Sequence, residues 1–192
     1  MAARRPLLLA YAILIAFVGL ERALRRDAAA RTLESGPADR GTTRWIGIAY
    51  GAAFNAGFLA ALLNRPGLGR LPAGPARVGP MCMIVGLALR VWAALSLGTY
   101  YTRTLRTAEG QPVVQRGPYR LIRHPGYAGD LVLWFGFGLA SGNALVLGAV
   151  IALMGFAYAR RIDAEEAMLV RELGPDYVTY QKRTRRLVPK VY

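Results

Sequence analysis

Residues Leu131 to Tyr158 read LVLWFGFGLASGNALVLGAVIALMGFAY, 28 positions without a charge. As one helix the stretch would be about 42 Å long, at about 1.5 Å per residue, against a hydrocarbon core of roughly 30 Å. It is too long for one upright span and short for two. Ser141-Gly142-Asn143 sits near its middle, and that tripeptide is turn chemistry. The stretch therefore reads as a tight helical hairpin, one arm starting near Pro125 and the other continuing to about Arg161; a single strongly tilted helix is the alternative. Small residues four apart, Gly138 with Gly142 and Ala144 with Gly148, would let the two arms approach closely.

The same ruler applied outward gives three earlier spans. Pro6 to Leu20 is a short one, preceded by Arg4 and Arg5 and closed by Glu21, Arg22, Arg25 and Arg26. A cleaved signal peptide is its rival, but no convincing small-x-small cleavage site follows before the charges. Trp45 to Leu63 opens on an interfacial aromatic and ends at Asn64-Arg65-Pro66-Gly67, a stop signal. Val78 to Tyr101 is apolar except for Arg90. The fold class expected is an all-α integral membrane protein of about five transmembrane helices, the last two a hairpin, with an amphipathic helical segment after them. One domain covers residues 1–192, with three spans in 1–101 and a polar loop, hairpin and tail in 102–192.

The 192 residues are 54% hydrophobic yet carry a net charge of +14. Nucleic-acid binding would spread such charge over solvated positions, whereas here it crowds between apolar runs. With the amino terminus outside, 19 of the 25 basic residues fall on the cytoplasmic side and five outside, with Arg90 in the membrane. A four-helix model would divide the two richest segments between opposite sides. Metal chemistry has no support, because one His and the single Cys82 build no zinc site. No dinucleotide fingerprint or phosphate loop occurs, and Gly136, Gly138 and Gly142 are better read as helix packing.

Polar chemistry gathers in the loop Gln111 to Gly129 and in the segment Arg160 to Glu166 with the tail behind it. The hairpin returns both to the same face, so they should be neighbours. The ordered set Gly117-Pro118-Tyr119-Arg120, Arg123-His124-Pro125-x-Tyr127-x-Gly129, then Arg161-x-x-x-Glu165-Glu166 and Gly174-x-x-Tyr177-x-x-Tyr180-x-x-Arg183 resembles the isoprenylcysteine carboxyl methyltransferase family. That family is related to the phospholipid N-methyltransferases. The likeness covers roughly Gln111 to Pro189; the first hundred residues match only as hydrophobic spans.

The resemblance implies S-adenosylmethionine as methyl donor, bound at the cytoplasmic face by Gln111, Pro112, Val113, Val114, Tyr119, His124, Pro125, Gly126, Tyr127 and Glu165. Arg161 would face the methyl acceptor, and a His stands at the place of Gln111 in many relatives. The residue chemistry is compatible. A Glu165 carboxylate suits the donor's amine or ribose hydroxyls, His124 and backbone amides suit its carboxylate, and Tyr119 or Tyr127 bounds the adenine. Methyl transfer is an in-line displacement that needs alignment and exclusion of water. A carboxylate acceptor needs no base; an amine would, and Glu166 or His124 are the candidates.

Each residue also has a plainer reading. His124-Pro125 starts a helix, Glu165 and Glu166 pair with Arg161 along one, Tyr119 and Tyr127 are interfacial aromatics, and Arg116, Arg120 and Arg123 attract anionic lipid. Arg90, near the middle of its span, requires compensation, either by Asp130 or by a polar acceptor head that it would bind. Asn55 is expected to bond across helices. In the tail, Met168, Leu169, Leu173, Tyr177 and Tyr180 rest on the membrane or cap a cofactor pocket.

The acceptor expected is lipophilic and enters from the bilayer: a prenylcysteine-like carboxylate or a related isoprenoid or lipid group. The excess of arginine over lysine, with Ala and Gly richness, suggests a GC-rich bacterial genome and hence an inner membrane, with the carboxyl terminus cytoplasmic. Phospholipid N-methylation, a membrane reductase of related helical core and a non-enzymatic lipid-binding scaffold are the alternatives. Small-residue faces serve either an oligomer or the fold itself.

Overall fold

A computed structural model describes residues 4–25, 36–64, 67–102, 104–107, 110–189 and 191. Of the basic residues behind the expected orientation, Arg26, Arg31, Arg65, Arg103 and Lys190 lie outside the described residues, as does Pro66 of the expected stop signal. Five helices follow one another: α1 Arg4–Leu24, α2 Thr42–Leu63, α3 Ala73–Leu97, α4 Pro125–Ala140 and α5 Ala144–Arg183. Among the described residues there is no strand, only two isolated bridges. Four of the helices are long and apolar enough to cross a membrane. The fifth, α4, has 16 residues and is the short arm of the hairpin, at about 24 Å. The protein is an all-α integral membrane protein.

The hairpin turn falls at Ser141-Gly142-Asn143, and local chemistry makes it. Gly142 takes φ +67°, which favours glycine. Ser141 Oγ donates to the Gly138 carbonyl, and Asn143 Oδ1 caps α5 by accepting from the Leu145 and Val146 amides at 3.0 and 3.2 Å. The α2–α3 connection then locks the turn: Asn143 Nδ2 donates to Asn64 Oδ1 at 3.0 Å and to the Leu68 carbonyl at 2.8 Å, while Asn64 Nδ2 donates to the Ser141 carbonyl. Backbone bonds from Leu71 to Gly142 and from Ala144 to Gly69 complete it.

The closest helix approach is not the one expected. Gly138 does seat against Leu147 across the hairpin, but Gly148 faces open space and Gly142 belongs to the turn. Close packing falls instead between α3 and α4. A Cβ on Gly79 or Gly86 would come within 2.5 Å of α4 backbone, and one on Gly136 or Gly129 within 2.5 and 2.6 Å of α3 backbone. Seven-residue glycine spacing on both helices lets two backbones touch, which spacing within one hairpin arm could not reveal. The main core gathers Leu14 and Phe17 of α1, Ala53 of α2, Met83 of α3, Leu133 and Phe137 of α4, and Val150, Met154 and Tyr158 of α5.

Two further expectations are corrected. The first span does not close at Leu20, because Glu21 lies within α1 and is buried. Asn55 is exposed on α2 and donates to the Gly51 carbonyl of its own helix at 2.8 Å, so it makes no interhelical bond. The amphipathic tail is present as the continuation of α5, which runs on past Arg161 and breaks at Gly174 (φ 57°, ψ −138°) just before Pro175.

Candidate active site

The polar loop packs against the extended end of α5. Residues Gly117–Arg120 form a 3-10 turn, with Pro118 and Tyr119 buried. Gly117 has φ +57° and crowds Ser96, so it carries no side chain without strain. The tail then runs beside the loop: the Arg123 and His124 amides donate to the Arg185 and Arg186 carbonyls at 2.8 and 3.0 Å. From α5, Tyr180 donates to the Tyr119 carbonyl at 2.7 Å. His124 stands at the N-terminal boundary of α4 without a side-chain capping bond and Pro125 occupies its first turn, so the plain helix-start reading holds together with burial of the imidazole.

Glu166 ties these pieces together. Its Oε1 accepts from Arg123 Nε at 2.7 Å and lies 3.2 Å from His124 Nε2, and its Oε2 accepts from Arg186 Nη2 at 2.9 Å. Arg123 continues to the Gln181 and Thr184 carbonyls, and Arg186 to Asp163 at 3.0 Å. Burial would raise the Glu166 carboxyl, but hydrogen bonds from His124 and Arg123 hold it down at about 2. Both oxygens of this candidate base are committed to a clamp. The proton-acceptor role expected for Glu166 is therefore not what its geometry offers.

Glu165, one residue earlier, contrasts with it. Its Oε2 is buried with no hydrogen-bond partner and lies 3.8 Å from His124 Nδ1. Around it stand Tyr119, Tyr127 and Tyr177; burial and then the Glu165 charge push the Tyr119 and Tyr177 hydroxyls upward, so both stay protonated donors at neutral pH. The Tyr177 hydroxyl is likewise buried without a partner. Tyr127 stacks on His124, ring centroids 5.6 Å apart and planes 10° from parallel. A half-buried carboxylate with one inward oxygen, set among aromatic side chains and an unused donor, is a seat for a cationic group.

Further along the same face of α5 lies a cleft of about 650 Å³ lined by Thr107, Gly110, Gln111, Pro112, Val113, Glu172, Leu173 and Asp176. Glu165 and Glu172 are two helical turns apart, roughly 10 Å, on one face. Gln111, Pro112 and Val113 thus line a cleft two helical turns along α5 from Glu165, with the half-buried Val114 next in sequence.

Arg161 is buried and anchored by a residue that the sequence reading missed. Its Nη1 donates to Asp39 Oδ1 at 2.5 Å, to Thr42 Oγ1 at 2.9 Å and to Thr43 Oγ1 at 3.0 Å; its Nε donates to the Tyr127 hydroxyl at 3.2 Å. Burial would raise the Asp39 carboxyl, but the Thr43 hydroxyl and amide and the Arg161 guanidinium hold it below its ordinary value. An acid just before Thr42-Thr43 is a helix-start signal, and placing the start of the second span at Trp45 passed over it.

Arg90 lies below this site and not in it. Its Nε and Nη2 donate to the two oxygens of Glu21 at 2.8 and 3.0 Å, and its Nη1 to Asp130 Oδ2 at 2.5 Å and the Gly126 carbonyl at 3.3 Å. Tyr101 donates to Glu21, and Tyr50 and Tyr158 to Asp130. Each nitrogen of the guanidinium is engaged inside the bundle, which corrects its expected part in substrate binding. Nor is Arg90 at mid-span: it lies seven residues, about 10 Å, from the end of α3 at Leu97. Through Gly126 it supports the first turn of α4 from beneath. Among the described residues no group of His, Cys, Asp and Glu could hold a metal ion.

These features define an integral membrane protein with a polar chamber where a loop and an extended helix meet at one membrane face. The family model that matches, over residues 79–171, is that of the isoprenylcysteine carboxyl methyltransferase (ICMT) family. The resemblance to that family thus holds over the loop and the Arg161 to Glu166 segment; the matched stretch begins earlier than the expected Gln111 and ends before the tail motif. A "Probable protein-S-isoprenylcysteine O-methyltransferase" of Oryza sativa subsp. indica is 29% identical over 114 residues, 58% of this chain and 60% of that protein. Protein-S-isoprenylcysteine O-methyltransferase B of Arabidopsis thaliana is 31% identical over 115 residues, 59% of this chain and 58% of that protein. The chain thus matches about three fifths of the length of these relatives. The eukaryotic intramembrane Ras methyltransferase ICMT has a solved structure that shares the fold, with a TM-score of 0.62 at 22% identity over 77% of this chain and 53% of that one.

Proposed function

We propose that the protein is an S-adenosylmethionine-dependent methyltransferase of the membrane, acting on a lipophilic acceptor such as a prenylcysteine-like carboxylate or a related isoprenoid or lipid group. The observation that carries this reading is the buried, unpartnered Glu165 oxygen among Tyr119, Tyr127, Tyr177 and His124. The donor supplies a methyl group on a sulfonium cation, beside a second cationic centre in its amine. Glu165 answers the positive charge, Tyr177 offers a hydroxyl donor, and the cleft at Gln111, Pro112 and Val113 takes the more distant part of the molecule. His124 lies within reach of the chamber with its orientation set by Glu166.

Arg161 holds the acceptor. A guanidinium fixed on Tyr127 and Asp39 presents charge in one direction, and an aligned carboxylate needs no base for displacement at a methyl carbon. Glu166 contributes by holding Arg123, His124 and Arg186 in place. The acceptor comes laterally from the bilayer and the soluble donor from the cytoplasm, with the amino terminus outside, the carboxyl terminus cytoplasmic and the membrane a bacterial inner membrane. The basic residues on the loop side support that orientation, and the exposed Arg116 and Arg120 there suit anionic lipid.

The test uses purified protein in lipid nanodiscs: calorimetry with S-adenosylmethionine and with a reduced nicotinamide, and labelled methyl transfer into prenylcysteine analogues, thiols and phospholipid amines. Donor binding with transfer to the prenylcysteine analogue is expected. Absence of S-adenosylmethionine binding at millimolar concentration defeats the reading, and nicotinamide binding in its place points to a reductase.

A further inference from the structure

Asp39 stands outside the family-matched residues 79–171, on the connection between α1 and α2, yet meets Arg161 across 122 residues. Helix capping alone does not explain its placement. Capping of α2 uses Oδ2, which accepts from the Thr43 amide at 3.1 Å. Oδ1 is surplus to that task, and it accepts from Arg161 Nη1 as well as from the Thr42 and Thr43 hydroxyls at 3.1 and 2.7 Å. The two hydroxyls in turn accept from the same Nη1, so three oxygens hold one corner of the guanidinium while Tyr127 holds its Nε edge. Two corners held fix both the plane and the direction of the group.

Resting on the methyltransferase reading, we propose that Asp39 is a positioning residue of the acceptor site, setting the guanidinium of Arg161 so that a bound carboxylate lies in line with the methyl group. The acceptor pocket is then completed by Asp39, just ahead of α2. Two consequences oppose one another when Asp39 loses its charge. Arg161 becomes a stronger attractor of an anionic acceptor, which does not raise KM. The guanidinium also loses its fixed direction, and misalignment lowers kcat, since small displacements from attack geometry cost rate steeply. A split between kcat and KM therefore separates positioning from binding.

Asp39→Asn retains a good capping side chain and removes the charge partner. In full-length protein in nanodiscs, it is expected to lower kcat with a prenylcysteine analogue about tenfold or more, with no rise in acceptor KM and donor Kd within about twofold of wild type. Arg161→Lys serves as the contrast and is expected to raise acceptor KM. An unchanged kcat in Asp39→Asn, or a donor Kd that weakens in parallel with kcat, overturns the proposal. Guanidinium rotation of Arg161, read by NMR on protein with 15N-labelled arginine, needs no turnover. Faster rotation in Asp39→Asn than in wild type supports the anchoring even where the methyl-transfer reading fails, and equal rotation overturns it.

Discussion

The Glu166 carboxylate accepts from the Arg123 guanidinium at 2.7 Å, joining α5 to a loop 43 residues earlier in the chain. With His124 and Arg186 on the same carboxylate, this contact makes the loop, the helix and the tail one unit. Glu166→Gln takes the anion from the Arg123 guanidinium and one of its carboxylate contacts from Arg186, and removing one partner of a buried pair costs about 3–5 kcal/mol. We expect a lower Tm, faster proteolysis of the tail after Thr184 and weaker donor binding together. The pH dependence follows from the sign of the shift: a carboxyl held at about 2 against an ordinary 4.5 contributes stability that is full above 4.5 and is lost as pH falls toward 2. In wild type the tail should loosen over that window; in Glu166→Gln that pH-dependent step should vanish.

Glu165→Gln is expected to behave in the opposite way. Its Oε2 has no hydrogen-bond partner, and a glutamine keeps an oxygen for the bond with Tyr127, so neutralising the carboxylate costs little in contacts. Tm should stay level or rise while S-adenosylmethionine affinity falls at least about tenfold, the loss of one charge-assisted contact. A combined thermal scan and calorimetric titration separates the two glutamates. Parallel losses of Tm and affinity in Glu165→Gln would return it to the status of a structural residue.

What the sequence made legible was short in range. Ser141-Gly142-Asn143 could be read as a turn because its bonds close within a few residues, and His124 and Glu165 lie inside the stretch that the family model matches. Partner choice over long distance was not legible. Nothing near Asp39 names Arg161, and Glu21 reads as the charged end of a span until α1 is seen to carry it inward to Arg90. Depth is hidden in the same manner, because the apolar run opens at Val78 whereas α3 begins at Ala73, which moves Arg90 away from the middle of its helix. Gly136 and Gly148 look alike in a string, and only the neighbouring backbone distinguishes them.

That last contrast is testable. A Cβ on Gly136 would meet the Gly79 carbonyl oxygen at 2.5 Å and Met83 at 2.8 Å, while one on Gly148 meets nothing within 4 Å. Gly136→Ala must therefore push α3 and α4 apart, at about 1–3 kcal/mol for overpacking. Gly148→Ala should be neutral or slightly stabilising, since alanine is the better helix former. Thermal denaturation in detergent, followed by helical circular dichroism, should show several degrees of loss for the first and none for the second.

Arg90 offers the sharpest separation of structure from binding. Its guanidinium compensates Glu21 and Asp130, so Arg90→Leu leaves Asp130 inside the bundle without its counter-charge and Glu21 with Arg25 as its remaining one, and should cost about 3–5 kcal/mol. If Arg90 served only as a counter-charge, replacing all three residues by Leu, Gln and Asn would recover much of that stability, because buried ionic groups can give way to neutral ones at small cost and only the Arg25 contact with Glu21 is lost besides. The triple variant should then fold and bind donor, with acceptor KM within about twofold of wild type, a change below 0.5 kcal/mol. An acceptor KM raised tenfold in a stably folded triple variant would instead restore Arg90 to the substrate site, since about 1.4 kcal/mol of acceptor binding would have gone with the guanidinium and not with the fold.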